Sequence, residues 1–308
     1  MKRNDSLTRR PARTTAQAFF TKRTSIALLL ALCSAPISLP AASPPPATLM
    51  YTDPAGASIH GGVATIGPTN TIYFSILSTP TNSAKILKLA GNTVVWTFNA
   101  PGVGTNYDMY AIPALDAAGA KLYIGSDAGI FYCLNTSDGL ANWSYTVTTG
   151  TDKRIRSGAA LDPNNPLGST VYFHCNNGYL YALDADTGAF RWSAHTANEG
   201  GPPTAPNPQA PGGDWDPQPV SSSPVVDSSG VVYVGSADGS VYSFNPTMGT
   251  QNWRVVLNTA AVEPVEASIA IGRDGTLYVA TRWNPSIDGG TMYAINPVTH
   301  TKLWTNSL

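Results

Sequence analysis

The chain has 308 residues, of which 43% are hydrophobic, 9% aromatic and 12% charged. This composition excludes an intrinsically disordered protein, because it supplies enough apolar surface for a large core. The 28 glycines and 25 prolines favour many short strands joined by tight turns over long helices.

The N-terminal segment has the layout of a secretory signal peptide. Seven basic residues precede an apolar run at 26–32, and small residues follow at 38–43. The run is far shorter than the roughly 20 apolar residues that a membrane-spanning helix needs. We therefore predict a cleaved signal peptide over residues 1–43. The mature domain, 44–308, is expected outside the cytoplasm, in the periplasm or secreted, with outer-membrane association as a further option.

Cys33 follows the apolar run in the way that a lipoprotein attachment site does. However, the bulky Leu32 stands where a small residue would precede the modified cysteine. We therefore do not expect a lipid anchor at Cys33.

Removal of the leader changes the charge of the protein. The leader holds seven of the 18 basic residues and one of the 19 acidic residues, which leaves a net charge of −7 on the mature chain. A negative chain without a basic stripe argues against a nucleic-acid partner.

A short string recurs five times along the mature chain: an aromatic, a small residue, an apolar residue, Asp or Asn, a turn, and then Trp. The clearest copy runs from Tyr181 to Gly188 and closes at Trp192. The five closing tryptophans are separated by 47, 49, 61 and 51 residues: Trp96, Trp143, Trp192, Trp253 and Trp304. This period is the size of a four-stranded propeller blade. We predict an all-β fold, a β-propeller of four-stranded antiparallel blades, with units at about 62–99, 111–148, 157–194, 221–257 and 266–306.

Each position of the string has a mechanical role. The Asp or Asn is expected to bond backbone N–H groups of the following turn. Glycine in that turn supplies a positive φ at low cost. The Trp is expected to wedge against the adjacent blade and to donate its indole N–H. Two copies differ: His300 replaces the glycine of the fifth unit, and the first unit has a shorter turn at Gly91-Asn92.

These residues resemble the pyrroloquinoline quinone (PQQ) repeat family, whose blades carry the motif A-x-D-x-x-T-G-x-x-x-W. The third unit fills every position of the motif, with Ala182, Asp184, Thr187, Gly188 and Trp192. The resemblance implies a propeller, usually of seven or eight blades. The family includes quinoprotein dehydrogenases as well as non-enzymatic scaffolds such as the outer-membrane assembly lipoprotein BamB.

Five units are fewer than the resemblance implies. Unit five already has its own outer strand, while Ala47 to Tyr51 is predicted as an extra N-terminal strand that a closing ring would use. We therefore predict an open or imperfectly closed arc of five blades, which truncation of a longer propeller would also produce. Direct contact between the first and last blades would contradict this prediction.

Candidate binding residues fall on one rim of the predicted propeller. This rim collects the loops between the second and third strands and the segments that connect one blade to the next. A long Pro- and Gly-rich insertion, 194–220, lies there, and loops of this length are usually functional or mobile. The candidates are Asp108, Tyr110, Arg154, Arg156, Asp214, Trp215, Asp216, Glu263, Glu266, Trp283 and Asp288. Solvated loop charges are an equally good interpretation of the charged members.

The sequence offers little support for catalysis. In the resembling alcohol dehydrogenases, two adjacent cysteines lie against the quinone, and a Glu/Asn/Asp set binds calcium; neither feature is present here. The four histidines fall in different units without zinc-ligand spacing. Cys133 and Cys175 occupy different depths of neighbouring blades, which makes a disulfide doubtful.

The sequence therefore predicts a non-catalytic binding or scaffold module with a protein partner in the cell envelope and no cofactor. Two alternatives stay open. One is a PQQ-dependent dehydrogenase fragment, which would use PQQ with calcium. The other is a propeller that binds polysaccharide or a cell surface through Trp215 and Trp283.

Overall fold

A computed structural model describes residues 64–77, 82–102, 108–196, 222–258, 263–281 and 290–307. The predicted signal peptide and the predicted strand at Ala47 to Tyr51 lie outside these residues. Within the described residues, no helix has the length and apolar character needed to cross a membrane.

The described residues form five four-stranded sheets, each with its strands in chain order. The first contains β1 (Thr65–Ile66), β2 (Thr71–Ile76), β3 (Lys85–Ala90) and β4 (Thr93–Asn99), with a short 3-10 helix at Pro68–Asn70. The second contains β5 (Ala114–Leu115), β6 (Lys121–Gly125), β7 (Ile130–Asn135) and β8 (Ala141–Thr146). The third contains β9 (Ala160–Asp162), β10 (Thr170–Cys175), β11 (Tyr179–Asp184) and β12 (Phe190–His195). The fourth contains β13 (Val225–Val226), β14 (Val232–Gly235), β15 (Ser240–Phe244) and β16 (Gln251–Val256). The fifth contains β17 (Ala270–Ile271), β18 (Leu277–Ala280), β19 (Thr291–Asn296) and β20 (Thr301–Ser307).

These sheets are the five predicted blades. All neighbouring strands pair antiparallel, and every blade has one register shift between its third and fourth strands. The shift falls directly after the residue that pairs with Trp, which is Lys88 in the first blade and a small residue in the others, such as Ala182 opposite Trp192. A bulge at this point bends the outer strand and aims its side chains. The prediction of four-stranded antiparallel blades is confirmed.

The core lies between neighbouring blades. Apolar side chains of adjacent blades form shared buried clusters, such as the one that joins Phe131 of the second blade to Phe173 of the third, with ring centroids 4.3 Å apart. In each blade a tyrosine of the second strand packs against the Trp of the fourth strand, at centroid distances of 5.6 to 6.0 Å. Each blade is therefore stabilised mainly by its neighbours.

The turn after the third strand is held by its Asp or Asn. The Asp184 carboxylate accepts hydrogen bonds from the backbone N–H groups of Asp186 and Thr187, at 2.9 and 2.8 Å. Asn245 does the same for Thr247 and Met248. This is the predicted role of the residue, and it fixes the backbone that the preceding blade contacts.

In the first four blades the Trp lies on this turn of the next blade. The ring of Trp143 covers Gly188 so closely that a Cβ atom at position 188 would lie 2.6 Å from it. The indole N–H of Trp143 donates to the carbonyl of Ala185, at 3.2 Å. Equivalent bonds run from Trp96 to the carbonyl of Thr136 and from Trp192 to that of Pro246, both at 2.9 Å. The predicted wedge is confirmed.

The two unusual turns also differ in the structure. His300 adopts a φ of 58°, a left-handed conformation that non-glycine residues adopt at some cost, and its ring lies 5.2 Å from that of Trp253. Gly91 has the same φ, but a Cβ atom there would have nothing within 4 Å. Among the described residues, no Trp ring therefore covers the turn of the first blade.

The fifth blade presents a Trp that no described turn covers. Trp304 is 45% exposed, whereas Trp96 and Trp192 are 8% and 7% exposed. Among the described residues, the contact of Trp with the next glycine turn is therefore not made from the fifth blade to the first. This result is in keeping with the predicted open arc.

The contribution of the Trp contact can be measured by comparing two glycines. We expect Gly188→Ala to reduce the free energy of unfolding by about 3 kcal/mol, because the new methyl group meets the Trp143 ring and the backbone is left-handed. Gly91→Ala is the matched control and should cost about 1 kcal/mol, since it introduces only the backbone strain. Urea denaturation of both variants tests this, and equal losses would contradict the proposed role of the ring.

Candidate functional site: the connector rim

The connector rim consists of the turns between second and third strands and the segments that link successive blades. The linking segments are anchored by buried apolar side chains. Ile155 donates its backbone N–H to the carbonyl of Ser126, at 3.1 Å, and its side chain fills the space beside Gly125. Val265 repeats this contact beside Gly235. The rim backbone therefore has fixed positions from which side chains project.

Three of the predicted binding residues occupy one position of the repeat. Tyr110, Arg156 and Glu266 each follow the buried anchor of a linking segment, which is Met109, Ile155 or Val265. Because the anchors are equivalent, the three side chains stand at equivalent places before the second, third and fifth blades. All three are partly exposed.

Arg156 is the centre of a compact cluster. Its guanidinium donates to both oxygens of Asp127, at 2.9 and 2.6 Å, in the bidentate geometry that is strongest for this pair. The same guanidinium lies over the ring of Tyr110, 4.4 Å from its centroid. The Asp127 side chain is fully buried, and that of Arg156 is 11% exposed. The structure therefore brings two predicted residues, Tyr110 and Arg156, together around a carboxylate that the sequence did not single out.

Burial and Arg156 have opposite effects on the charge of Asp127. Burial raises the pKa of this carboxyl above its ordinary value, and the hydrogen bonds and charge of Arg156 only partly offset that effect. Removal of Arg156 would leave a buried carboxylate without its main counter-charge.

A second ion pair lies beside the first. Arg154 donates to both oxygens of Asp152, at 2.9 and 2.6 Å, and Asn176 adds a longer bond of 3.4 Å to the same carboxylate. Burial opposes the charge of Asp152, but the bonds and charge of Arg154 outweigh it, so its pKa lies below the ordinary value. Arg154 and Arg156 therefore form two adjacent, internally neutralised pairs.

The other described candidates have structural contacts. Asp108 is 2% exposed, and its backbone carbonyl accepts the N–H of Asp127 at 2.7 Å. Glu263 is 3% exposed and accepts hydrogen bonds from Asn258 and Thr281, at 2.8 and 2.9 Å. These two side chains are part of the packing beneath the rim. The remaining candidates lie outside the described residues: Asp214, Trp215, Asp216, Trp283 and Asp288.

His174 distinguishes the third blade from the second and fourth blades. It occupies the place that Gly125 and Gly235 hold in the second and fourth blades, where an apolar anchor enters. The buried imidazole fills that space itself and pairs through Nε2 with the Thr196 hydroxyl, at 3.0 Å. The segment that follows this blade is the long insertion, and its residue at the anchor position, Val220, lies outside the described residues. Sequence reasoning missed His174, although the glycine at this place in two other blades was visible.

The described blades contain two cysteines. Cys133 and Cys175 are both free and buried. Burial raises the pKa of the Cys175 thiol to about 12, which makes it a poor nucleophile. Within the described ranges, no three His, Cys, Asp or Glu side chains are grouped in a way that could hold a metal ion.

Five four-stranded blades, three of which direct a Trp at the glycine turn of the following blade, define a β-propeller of the PQQ-repeat type. The chain belongs to the family described as outer membrane protein assembly factor BamB, whose profile matches residues 53–236 and 204–308. A stretch of 91 residues is 29% identical to the outer membrane protein assembly factor BamB of Yersinia pestis, over 30% of this chain and 21% of that protein.

The fold is also similar to a solved structure. The crystal structure of BamB from Moraxella catarrhalis matches with a TM-score of 0.55 and 17% sequence identity, over 79% of this chain and 61% of that chain. The chain thus spans less than two thirds of the length of either relative. At this identity the structural match bears on the fold alone.

The Arg156–Asp127 pair leads to a stability prediction. We expect Arg156→Met to lower the free energy of unfolding by about 3 kcal/mol at pH 7, because Asp127 is left buried and unpaired. The loss should be smaller at an acidic pH than at pH 7, because burial raises the pKa of the Asp127 carboxyl and its protonation removes the unpaired charge. The more exposed Arg254–Asp238 pair supplies the control, and Arg254→Met should cost about 1 kcal/mol or less. Denaturation curves at the two pH values test this; a loss that does not depend on pH would contradict it.

His174 gives a second prediction, which concerns acid stability. Burial lowers its pKa from 6.5 to about 4, so the unfolded chain binds this proton more readily than the folded chain does. The stability contribution is complete above pH 6.5 and is lost as the pH falls to about 4, by about 3 kcal/mol in total. His174→Gln should flatten this part of the pH profile of unfolding, whatever its effect at pH 7. An unchanged slope between pH 6.5 and 4 would rule out His174 as its source.

Proposed function

We propose that this protein is an exported, non-catalytic scaffold that binds a protein partner in the cell envelope through its connector rim. The family match and the likeness to outer membrane protein assembly factors support this choice of class. The predicted signal peptide supports export. The observation that carries the choice of surface is the Arg156 guanidinium, held between Asp127 and Tyr110 at the rim.

This cluster has the properties of an interface anchor. Arg and Tyr are the residue types that most often dominate the energy of protein interfaces. The Arg156 guanidinium is already held by its hydrogen bonds to Asp127 and by the Tyr110 ring. A partner would therefore bind it with little loss of side-chain entropy. Because Asp127 neutralises the arginine, recognition would depend on shape and hydrogen bonding more than on net charge.

The charged groups beside this cluster favour binding over catalysis. The carboxylates of Asp127 and Asp152 are each engaged by an arginine, and that of Glu263 by two hydrogen bonds. A general base needs a carboxylate that can reach a substrate proton. These groups instead hold the surface in one conformation.

The partner surface can be tested by site-specific photo-crosslinking with the full chain in its native host. A photoreactive amino acid at Lys153, which is partly exposed on the rim, should give a discrete adduct with one envelope protein. The same amino acid at Leu140, which is 68% exposed on the opposite face, is the control and should not give that adduct. Tyr110→Ala should weaken the Lys153 adduct at least about tenfold, the equivalent of one lost anchor. Equal adducts at the two positions would contradict the assignment of the rim.

The cofactor-free interpretation has a separate test. We expect titration of the purified protein with PQQ and calcium to leave both the absorbance spectrum of the quinone and the melting temperature unchanged. Saturable binding of PQQ at micromolar concentration would instead favour the dehydrogenase alternative.

A further inference from the structure

A cavity lies between the fourth and fifth blades, on the face opposite the connector rim. Its volume is about 730 Å³, which is within the range of small-ligand and peptide pockets. Three turns line it: 227–229 of the fourth blade, and 272–276 and 296–298 of the fifth. Neither the predicted site residues nor the family match accounts for it.

The same place between the third and fourth blades is filled by a side chain of the protein itself. There the Asn165 carboxamide donates to the Tyr172 hydroxyl at 2.8 Å and to the Pro246 carbonyl at 3.3 Å. Trp192 and Tyr172 donate to the same carbonyl, at 2.9 and 3.4 Å. The Pro246 carbonyl is therefore the common acceptor of this interface.

The fourth interface has the acceptor but not these donors. Tyr233 and Pro297 are the counterparts of Tyr172 and Pro246, and both line the cavity. The Tyr233 hydroxyl donates to Asp227 instead, at 2.9 Å. Trp253 faces the His300 ring, and within the described residues no hydrogen bond reaches the Pro297 carbonyl.

The difference has a simple cause in the sequence. The turn that carries Asn165 has seven residues between Asp162 and Thr170, whereas the corresponding turn of the fourth blade has only three between Asp227 and Val231. The shorter turn has no residue that could reach the cavity as Asn165 does. The cavity is open at Gly275, where a Cβ atom would have nothing within 4 Å.

We propose that this cavity binds a loop of a protein partner through an asparagine side chain, which takes the place that Asn165 takes one interface earlier. The carboxamide N–H donates to the Pro297 carbonyl, and Arg273, an exposed lining residue, is available to the carboxamide oxygen. This inference rests on the proposed function for the existence of a protein partner. It adds a second contact face and a chemical requirement for the partner.

The chain itself supplies the probe for a direct test. A disulfide-cyclised peptide with the sequence of residues 162–169 is titrated into the 15N-labelled full chain. We expect saturable amide shifts at Gly275, Thr276 and Val298, with a dissociation constant of about 1 mM or tighter. Both cysteines of the disulfide are added, one at each end of the native segment, which itself has none. The same peptide with alanine at the position of Asn165 should bind at least about tenfold more weakly, since the carboxamide bonds are lost.

Two protein variants locate the binding. Ser229→Trp places a large side chain at the cavity lining and should abolish the shifts, because it occupies the site. Ser137→Trp makes the same change at an exposed turn of the second blade and should leave the binding unchanged.

The outcomes separate the two proposals. Equal affinity of the two peptides, or no shifts at these amides up to about 5 mM peptide, overturns the cavity proposal. The rim photo-crosslink is independent of this titration, so an intact Lys153 adduct would then leave the proposed function standing. Selective binding of the asparagine peptide without any rim adduct would support the cavity and contradict the rim.

Discussion

The contact on which the rest of the structure depends is the indole of one blade lying on the turn of the next. The contact depends on three features of the turn. The turn needs a residue that accepts a left-handed backbone, a carbonyl that faces the ring, and an Asp or Asn that holds both in place. Gly188, Ala185 and Asp184 meet these requirements for Trp143. Because the contact is made across the interface, it fixes the distance and angle between blades rather than the shape of any one blade.

The rim and the cavity are two results of this geometry. On one face, linking segments insert Ile155 and Val265 beside glycines of the preceding blade, which places Tyr110, Arg156 and Glu266 at equivalent positions. On the other face, the interface ends at a backbone carbonyl of the following blade, that of Pro246 or Pro297. The long turn of the third blade donates a hydrogen bond to the Pro246 carbonyl through Asn165, whereas the short turn of the fourth blade, as described, donates none to the Pro297 carbonyl. Differences in loop length therefore appear as surface features, while the blades remain alike.

Much of the fold could be predicted from the sequence, because repetition reveals architecture without knowledge of contacts. The recurrence of Trp192 and its four equivalents predicted the blades, the turns and the contact of the Trp with an adjacent blade, but not which of the two adjacent blades it contacts. The site was predicted only in part. Tyr110 and Arg156 were identified from their place before an inner strand, but Asp127 was not, because its importance arises from a contact across 29 residues of sequence. Asp108 and Glu263 were assigned to the surface because charge suggested exposure, yet their neighbours bury them.

The Trp contact is also directional, since each blade supplies the ring to its successor and receives one from its predecessor. In a chain of such units, each blade is coupled to its immediate neighbours and not to the whole. A blade with a neighbour on both sides gains two interfaces, whereas the fifth gains one described interface and leaves Trp304 exposed. Local stability should therefore be highest in the central blades, where amide hydrogen exchange is slowest, and lower in the fifth blade, with the fastest exchange in β20. Fluctuations that begin at this edge can spread inward one interface at a time.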